Sequence, residues 1–467
     1  MCQQTALLAL LLTAAGTVAA QSPTGNEEEF KVYTEAPRLF LRPQRLRLLR
    51  RERERQSIRW QQFQLLMTGK AKMPEPAFAS ALYYQITGDE SYGRQAIQWA
   101  LDHPADLREL SLVSDWCGKL LSDSQAASLA TKLEQGLASS KESTDIGTVR
   151  SRVLAAIALA DRKPDLAETV LRRTVVDWWR GRVIPSIKAG GDPIPRDQMF
   201  ALMELLHALR DNLNIELREG AIDYFKDLPT YLMLINYPAP YPAPENLYRI
   251  PAYDGAGEPD LTKAALARAA GLSLVAYDTN ALENQYLQGW LIQDQYLLRS
   301  AFGAPYEFLW ANPYQPGLSY YHVPLFFHDA RSGRLFVRSS WEDEATWFGL
   351  FDRRMQLFEN GHIRELAGKD AKIAIHLGVA TILPAASLIR FKIDEKEPET
   401  VYIIGLKSNS SYDIEVDDEE MHESCADGAG TLELRFPIPV RAGVWVHSPG
   451  IGVPHAEAVH MPASRRN

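Results

Sequence analysis

Residues 333–351 read GRLFVRSSWEDEATWFGLF, two strand-like runs of apolar side chains separated by a polar turn. A period of two is typical of β-strands, because successive side chains point to opposite faces of the sheet. Similar short runs, divided by Gly, Asn, Asp and Ser, follow at residues 400–406, 412–416, 431–436 and 444–447. This spacing predicts an antiparallel β-sandwich over residues 319–449.

The chain before residue 319 has a helical period instead. Roughly ten stretches carry apolar residues three and four positions apart, and turn segments such as Thr87-Gly88-Asp89 separate them. Amphipathic helices with short connections form antiparallel hairpins, which bury their apolar faces only by stacking or by closing into a ring. The expected fold class is α+β and multidomain, with an N-terminal α/α toroid, an incomplete barrel of helical hairpins, over residues 36–318.

The two ends of the chain carry separate signals. Residues 1–20 are uncharged, run apolar from Ala6 to Leu12 and close on small residues, which is the pattern of a secretory signal peptide. The apolar run is shorter than the roughly 20 residues that span a bilayer, so stable membrane insertion is not expected. Polar residues 21–35 predict a flexible leader, and residues 450–467 predict a loose tail. We expect a secreted or periplasmic protein.

The composition disfavours a nucleic-acid-binding protein. The formal net charge is −9, and the one Arg-rich stretch, Arg42 to Arg59, contains acidic residues that predict a solvated helix face. Phosphate binding needs a clustered positive field, so nucleic acid is not an expected partner. Cys117 and Cys425 are either two buried thiols or one long-range disulfide. No metal site is predicted, and the sequence indicates neither a cofactor nor an oligomeric state.

One interruption of the helical pattern is unusual. Residues 236–259 read NYPAPYPAPENLYRIPAYDGAGEP, with prolines too close together for a helix or a central strand. A loop of this length inside a compact helical domain is more often functional than decorative. The alternative is a strap that lies over the helices with its tyrosines packed down.

Three segments together resemble the heparinase II/III-like and alginate-lyase-like polysaccharide lyases. They are APRLFLRPQRLRLLR at residues 36–50, LVSDW at 112–116 with Leu121-Ser122 after it, and LFVRSSWEDEATWFGL at 335–350. They occur in the family's order and cover most of the chain. The resemblance implies a toroid followed by a β domain, and cleavage of acidic polysaccharide by β-elimination.

The chain departs from the family at the catalytic motifs. Active members carry a His-x-His-x-Asp-like segment after the strand pair, whereas residues 353–362 here contain only His362, beside Glu359. The family's Asn-His pair is also absent, because Asn212 and Asn214 have no adjacent histidine. Either other residues now carry the chemistry or it has been lost.

Elimination from a uronate needs three groups. One neutralises the carboxylate, a base takes the neighbouring proton, and an acid protonates the leaving oxygen. Arg249 lies between two tyrosines in the unusual loop, and His322 lies at the junction of the two predicted domains. We predict Arg249, Tyr253 and His322 as the catalytic residues. A tyrosine serves as the base only where positive charge lowers its pKa from about 10.

The expected partner is a polysaccharide or oligosaccharide. The predicted substrate-binding residues are Tyr248, Glu307, Trp310, Tyr314 and Tyr321. Since an acidic chain repels polyanions unless the cleft is locally basic, a patch of arginines would be needed for an acidic substrate. The candidates for that patch are Arg249, Arg338, Arg353 and Arg354.

Two other functions suit the same fold. An inverting glycoside hydrolase uses two carboxylates roughly 6.5 to 9.5 Å apart, and Asp254, Glu258 and Asp260 are the first candidates. A non-catalytic glycan-binding or cell-envelope protein would retain the fold without the histidines. Glu204 and His207 have the spacing of a metal-ligand pair on one helix face, but a hydrogen-bonded buried histidine is the favoured interpretation.

Overall fold

The computed structural model describes residues 29–103, 106–367, 372–385, 389–394, 399–417, 420–436 and 441–449. The predicted signal peptide, residues 21–28 of the predicted leader, and the predicted tail lie outside the described residues. Export therefore stays a prediction from the sequence. Among the described helices, none combines the length and apolar character that crossing a bilayer requires.

Residues 43–310 are largely helical. Several helices begin at a proline, whose fixed φ and missing N–H suit the first helical turn, and others begin after a Ser or Asp cap. A π-helical segment, Arg173–Val183, joins α8 to α9. The helices are α1 Pro43–Glu54, α2 Ile58–Thr68, α3 Pro76–Thr87, α4 Glu90–Asp102, α5 Leu107–Trp116, α6 Asp123–Ser139, α7 Ile146–Leu159, α8 Pro164–Arg172, α9 Ile184–Lys188, α10 Met199–Leu213, α11 Ile222–Leu234, α12 Leu261–Tyr277, α13 Leu282–Leu291 and α14 Gly303–Trp310.

The helices close into a ring. Helices α3, α5, α7, α10, α12 and α14 each pack on the next, and α2 lies between α14 and α3. Outer helical segments separate α3, α5, α7, α10, α12 and α14 along the chain, so these six inner helices begin at the same end of the ring. The predicted toroid is thus confirmed, and its ring is complete.

The β part consists of short strands. A two-stranded hairpin, β1 and β2, lies in the loop between α11 and α12, and the other strands follow residue 325. The strands are β1 Tyr241–Pro242, β2 Leu247–Tyr248, β3 Phe326–Asp329, β4 Arg334–Arg338, β5 Trp347–Phe351, β6 Arg354–Glu359, β7 His362–Glu365, β8 Ile375–His376, β9 Ala380–Pro384, β10 Ile389–Asp394, β11 Glu399–Ile404, β12 Ser411–Val416, β13 Glu420–Cys425, β14 Leu432–Phe436 and β15 Arg441–His447.

These strands form a stack of three sheets. The first sheet has the order β3-β4-β5-β6-β7, the second β14-β11-β9-β8, and the third β10-β15-β12-β13. Pairing is antiparallel except between β9 and β11, which run parallel. Alternate side chains of the second sheet face the first sheet, as Ile382 does, or the third, as Leu383 does. The predicted α+β order is confirmed, with a third layer added to the expected sandwich.

The ring and the first sheet share one apolar core. Phe336, Trp347 and Phe358 of the first sheet belong to the same cluster of buried side chains as the helices. The indole Nε1 of Trp347 donates a hydrogen bond of 2.8 Å to the carbonyl of Leu234 at the end of α11. The two parts therefore meet through a packed interface rather than a flexible linker.

Three expectations about the periphery are wrong. The end of the predicted flexible leader is packed, because Phe30 is buried and the Tyr33 N–H bonds the Asn212 carbonyl. The buried side chain of Phe30 anchors this otherwise polar segment. The disulfide alternative also fails, since Cys117 is a buried free thiol. Cys425 is not buried as expected, because it lies exposed at the end of β13.

A histidine with a largely buried side chain joins the first and second sheets. His328 Nδ1 lies 2.7 Å from Glu433 and Nε2 lies 3.0 Å from Asp427. Burial alone would lower the pKa of His328, but the hydrogen bonds and charges of the two carboxylates raise it to about 9. The protonated imidazole therefore binds the two sheets together at neutral pH.

We expect this histidine to make unfolding pH-dependent. Because the folded pKa of His328 exceeds the unfolded value, its contribution is complete below about pH 6.5 and is lost as the pH rises through about 9. Over this pH range the free energy of unfolding of the native protein, measured with urea, should fall by up to roughly 3 kcal/mol. In His328→Gln the fall should be much smaller. His362→Gln, at an exposed position, is the control. Equal pH slopes in the native protein and His328→Gln would refute the assignment.

Candidate functional site

The loop between α11 and α12, residues 236–259, is named here the proline–tyrosine loop. Tyr237 anchors it to the β part: its hydroxyl donates 2.8 Å to Gln356 Oε1, and its ring stacks on Phe358 at 5.2 Å. Gln356 Nε2 in turn donates 2.7 Å to the carbonyl of Tyr253. The loop is thus a strap with tyrosines packed down, one of the two alternatives, and it also encloses a cavity.

The cavity lies between this loop and the ends of α10 to α13. Its volume is about 690 Å³, within the range of about 300–1,000 Å³ that is typical of small-molecule sites. Met199 and Lys263 place it at the end of the ring where the inner helices begin. Asp352, from the turn between β5 and β6, completes the wall. Apolar side chains such as Ile250 and Leu291 form much of the lining.

One group of polar residues surrounds Tyr231 in the wall. Arg196 donates 2.6 Å to the carbonyl of Ala252 and pairs with Asp352 at 2.5 Å. Asp192 pairs with Arg334, whose guanidinium also lies 5.5 Å from the Tyr231 ring. The Tyr231 hydroxyl is buried and has no hydrogen-bond partner among the described residues. Burial raises the pKa of Tyr231 to about 12, so the hydroxyl stays protonated.

A second group surrounds Arg249. Its guanidinium lies 4.1 Å from the Tyr296 ring centre and 5.6 Å from that of Trp290, both of which line the cavity. Arg249 also donates 2.9 Å to the carbonyl of Pro238 and pairs with Asp343 at 3.4 Å. These contacts fix the guanidinium against an aromatic wall.

Three exposed carboxylates lie on the lining of the cavity. Asp260 caps α12 by accepting hydrogen bonds from the N–H groups of Thr262 and Lys263, at 2.9 and 3.2 Å. Glu258 accepts a hydrogen bond from the Tyr241 hydroxyl, and Asp254 accepts one from a backbone N–H. These are the carboxylates that the hydrolase alternative named, and all three belong to the cavity.

Three predicted site residues line the cavity: Tyr248, Arg249 and Tyr253. The Tyr253 hydroxyl donates 3.0 Å to the carbonyl of Gly257. Burial raises the pKa of Tyr253, and Glu258 and Asp254 raise it further. A tyrosine base needs the opposite shift. Tyr248 is buried and donates 2.8 Å to Glu245, and burial raises its pKa to about 12.

Three other predicted residues lie outside the cavity. His322 and Tyr321 are exposed on a turn, where Tyr321 stacks on Tyr320 at 4.8 Å. Tyr314 packs beside α1, with the guanidinium groups of Arg51 and Arg55 over its ring at 5.8 and 5.2 Å. The cavity is therefore lined by two of the three predicted catalytic residues, Arg249 and Tyr253, and not by His322.

Glu307 and Trp310 are wrong as substrate-binding residues, because each is only 1% exposed. Glu307 pairs with Arg59 at 3.3 Å and Arg268 at 2.6 Å inside the ring. Trp310 packs against Phe40 and His207. Both lie on α14, an inner helix whose side chains fill the core, so neither presents a surface to a sugar.

His207 is the buried, hydrogen-bonded histidine that was favoured over a metal ligand. Its Nε2 lies 2.9 Å from the carbonyl of Ser273, and burial holds its pKa well below the usual value. Glu204 faces two arginines instead of a metal partner.

The residues that the sequence did not indicate come from distant parts of the chain. They are Asp192, Arg196, Tyr231, Trp290, Tyr296 and Asp352. No local sequence motif marks these residues. They lie on separate elements that only the fold brings together.

Comparisons with known proteins give distant structural similarities. No family model and no curated protein matches the sequence. A heparan sulfate lyase from Pedobacter heparinus is similar at a TM-score of 0.37 and 12% identity, over 80% of this chain and 76% of that one. A glycoside hydrolase matches at 0.30 and 9%, over 80% and 71%, and a β-arabinofuranosidase at 0.26 and 10%, over 90% and 80%. At these TM-scores the similarities assign no function.

Proposed function

We propose that this protein is carbohydrate-active and that its glycan site is the cavity beneath the proline–tyrosine loop. The composition of the wall carries the proposal: the rings of Tyr253 and Trp290 lie beside carboxylates and guanidinium groups in one volume. Aromatic faces pack on the C–H faces of sugar rings, and polar groups bind the sugar hydroxyls. Glycan binding is the function that this arrangement supports best.

β-Elimination has weaker support than binding. Arg249 and Tyr253 both line the cavity, so a cation and a protonated acid are available there. The base is the difficulty, because the pKa of Tyr253 is raised and His322 lies outside the cavity. Within the described lining there is no histidine that could replace it.

Hydrolysis is the second candidate. Asp254, Glu258 and Asp260 share the cavity with Asp192. Partial burial raises the pKa of Asp192, although Arg334 opposes the shift. Carboxyl groups with different pKa values in one site are the requirement for acid and base roles in glycoside cleavage.

A polysaccharide panel separates these functions. The purified protein is tested against xylan, arabinan, mannan, β-glucan, alginate, pectate and heparan sulfate, and three quantities are measured. They are retention on the immobilised glycan, near-ultraviolet absorbance of unsaturated uronates, and new reducing ends. We expect retention on at least one glycan without the absorbance.

Three other outcomes would each lead to a different conclusion. The absorbance would establish elimination and require a base other than Tyr253 or His322. New reducing ends without the absorbance would establish hydrolysis, and Asp192→Asn should then lower the rate by roughly a hundredfold or more. Retention on none of the seven glycans would contradict the proposal.

A further inference from the structure

The cations that line the cavity are already paired. Arg196 pairs with Asp352, and Lys263 pairs with Asp197 at 3.3 Å. The remaining two, Arg268 and Arg249, pair with Glu307 at 2.6 Å and with Asp343 at 3.4 Å. A carboxylate or sulfate on a ligand would therefore have to displace an existing partner. Taking Arg268 from the buried Glu307 would leave that carboxylate with Arg59, at 3.3 Å, as its one remaining ion-pair partner among the described residues, which is unfavourable.

The carboxylates of the lining oppose an anionic ligand further. Asp254, Glu258 and Asp260 form no ion pair among the described residues. They add to the field of a chain whose formal net charge is −9. Like charges raise the free energy of a bound polyanion, while ionised carboxylates accept hydrogen bonds from neutral hydroxyl groups.

The exposed carboxylates of the lining are the groups that a sugar can reach. Asp254, Glu258 and Asp260 are exposed, and the hydrogen bonds that they accept within the described chain leave other lone pairs available. A sugar hydroxyl can donate to these oxygens without displacing an ion pair.

We infer that the cavity selects an uncharged glycan, and that the exposed carboxylates of Asp254 and Glu258 are specificity-determining contacts to its hydroxyl groups. The inference rests on the proposed function and narrows its substrate class. It differs from what the resemblance to polysaccharide lyases implies, which is an acidic polysaccharide. The two interpretations predict opposite orders of affinity for ligands that differ only in charge.

Charge-matched ligands test the inference. Retention is compared for pectate and methyl-esterified pectin, for alginate and carboxyl-reduced alginate, and for carboxymethyl and hydroxyethyl cellulose. For at least one pair the uncharged member should bind at least about tenfold more tightly than the charged one. Equal or tighter binding of the charged members, or no binding of any uncharged member, overturns the inference. Failure of the proposed function is a separate result, the absence of retention across the whole panel.

Removal of a carboxylate tests the contact itself. Glu258→Ala deletes an exposed carboxylate of the cavity wall, and it should weaken binding of the uncharged glycan about five- to tenfold. Glu134→Ala is the matched control, because it deletes a surface carboxylate on the outer helix α6. Unchanged affinity in Glu258→Ala, or an equal loss in both variants, would refute the contact.

Discussion

Replacement of Glu204 by alanine should lower the free energy of unfolding of the helical ring by about 3–5 kcal/mol. Glu204 on α10 is fully buried and accepts hydrogen bonds of 2.9 and 2.6 Å from Arg108 on α5. Arg150 on α7 also bonds the carboxylate. Burial alone would raise the pKa of Glu204, but the two arginines outweigh it and lower the pKa. Removing the carboxylate leaves Arg150 without its ion-pair partner and Arg108 with Glu75 alone, at 3.3 Å, among the described residues.

The loss is measured by urea unfolding followed by helical circular dichroism. Glu134→Ala is the control, since Glu134 pairs with Lys163 at the surface, where both side chains are more than a third exposed. A surface pair of this kind contributes about 0–1 kcal/mol. A change below about 1 kcal/mol in Glu204→Ala would show that the buried network does not hold the inner helices together.

Replacement of Ala267 by tryptophan should abolish glycan binding. Ala267 lies on α12 and lines the cavity, so an indole at this position occupies the volume that we assign to the sugar. We expect the affinity for the glycan that the panel identifies to fall by at least about a hundredfold. Calorimetric titration measures the affinity, and thermal unfolding shows whether the fold is kept.

The control for this substitution is Ala127→Trp. Ala127 is exposed on the outer helix α6, away from the cavity, so the same side chain is added without a change in the site. The control should bind as the native protein does. Undiminished binding in Ala267→Trp would place the sugar somewhere other than the cavity.

The sequence predicts much of the ring. Apolar spacing over residues 124–137 and 148–160 predicts helices that the structure places at Asp123–Ser139 and Ile146–Leu159. Such helices are amphipathic, so their apolar period can be recognised in the sequence without knowledge of the fold. The stretch 215–235, which has the same appearance, is broken at Leu217–Ala221 by a 3-10 turn. Apolar spacing alone does not detect that break.

The strands are predicted less completely. Residues 346–351 and 412–416 agree with β5 and β12. β12 buries alternate side chains, and β5 is buried along almost its whole length, so both are marked by apolar residues. The apolar pattern of the sequence does not predict strands such as β3 and β7. Their residues are only partly buried or exposed at the edges of the first sheet, so no apolar alternation marks them.

The sequence predicts only the part of the site that the proline–tyrosine loop supplies. The prolines of residues 236–259 identify the loop that supplies Tyr248, Arg249 and Tyr253 to the cavity. The rest could not be inferred, because the wall also needs Tyr231 and Asp352, which only the packing of ring on sheet brings together. The misplacement of Glu307 has the same origin, since its partner Arg59 is 248 positions away in the chain.

A crystal structure with the tightest-binding uncharged oligosaccharide tests the central claim most directly. We predict sugar density beneath the proline–tyrosine loop, with a sugar hydroxyl within hydrogen-bond distance of the Asp254 or Glu258 carboxylate and a ring face against Trp290. Density on the exposed Tyr320–Tyr321 surface, with none in the cavity, would contradict it.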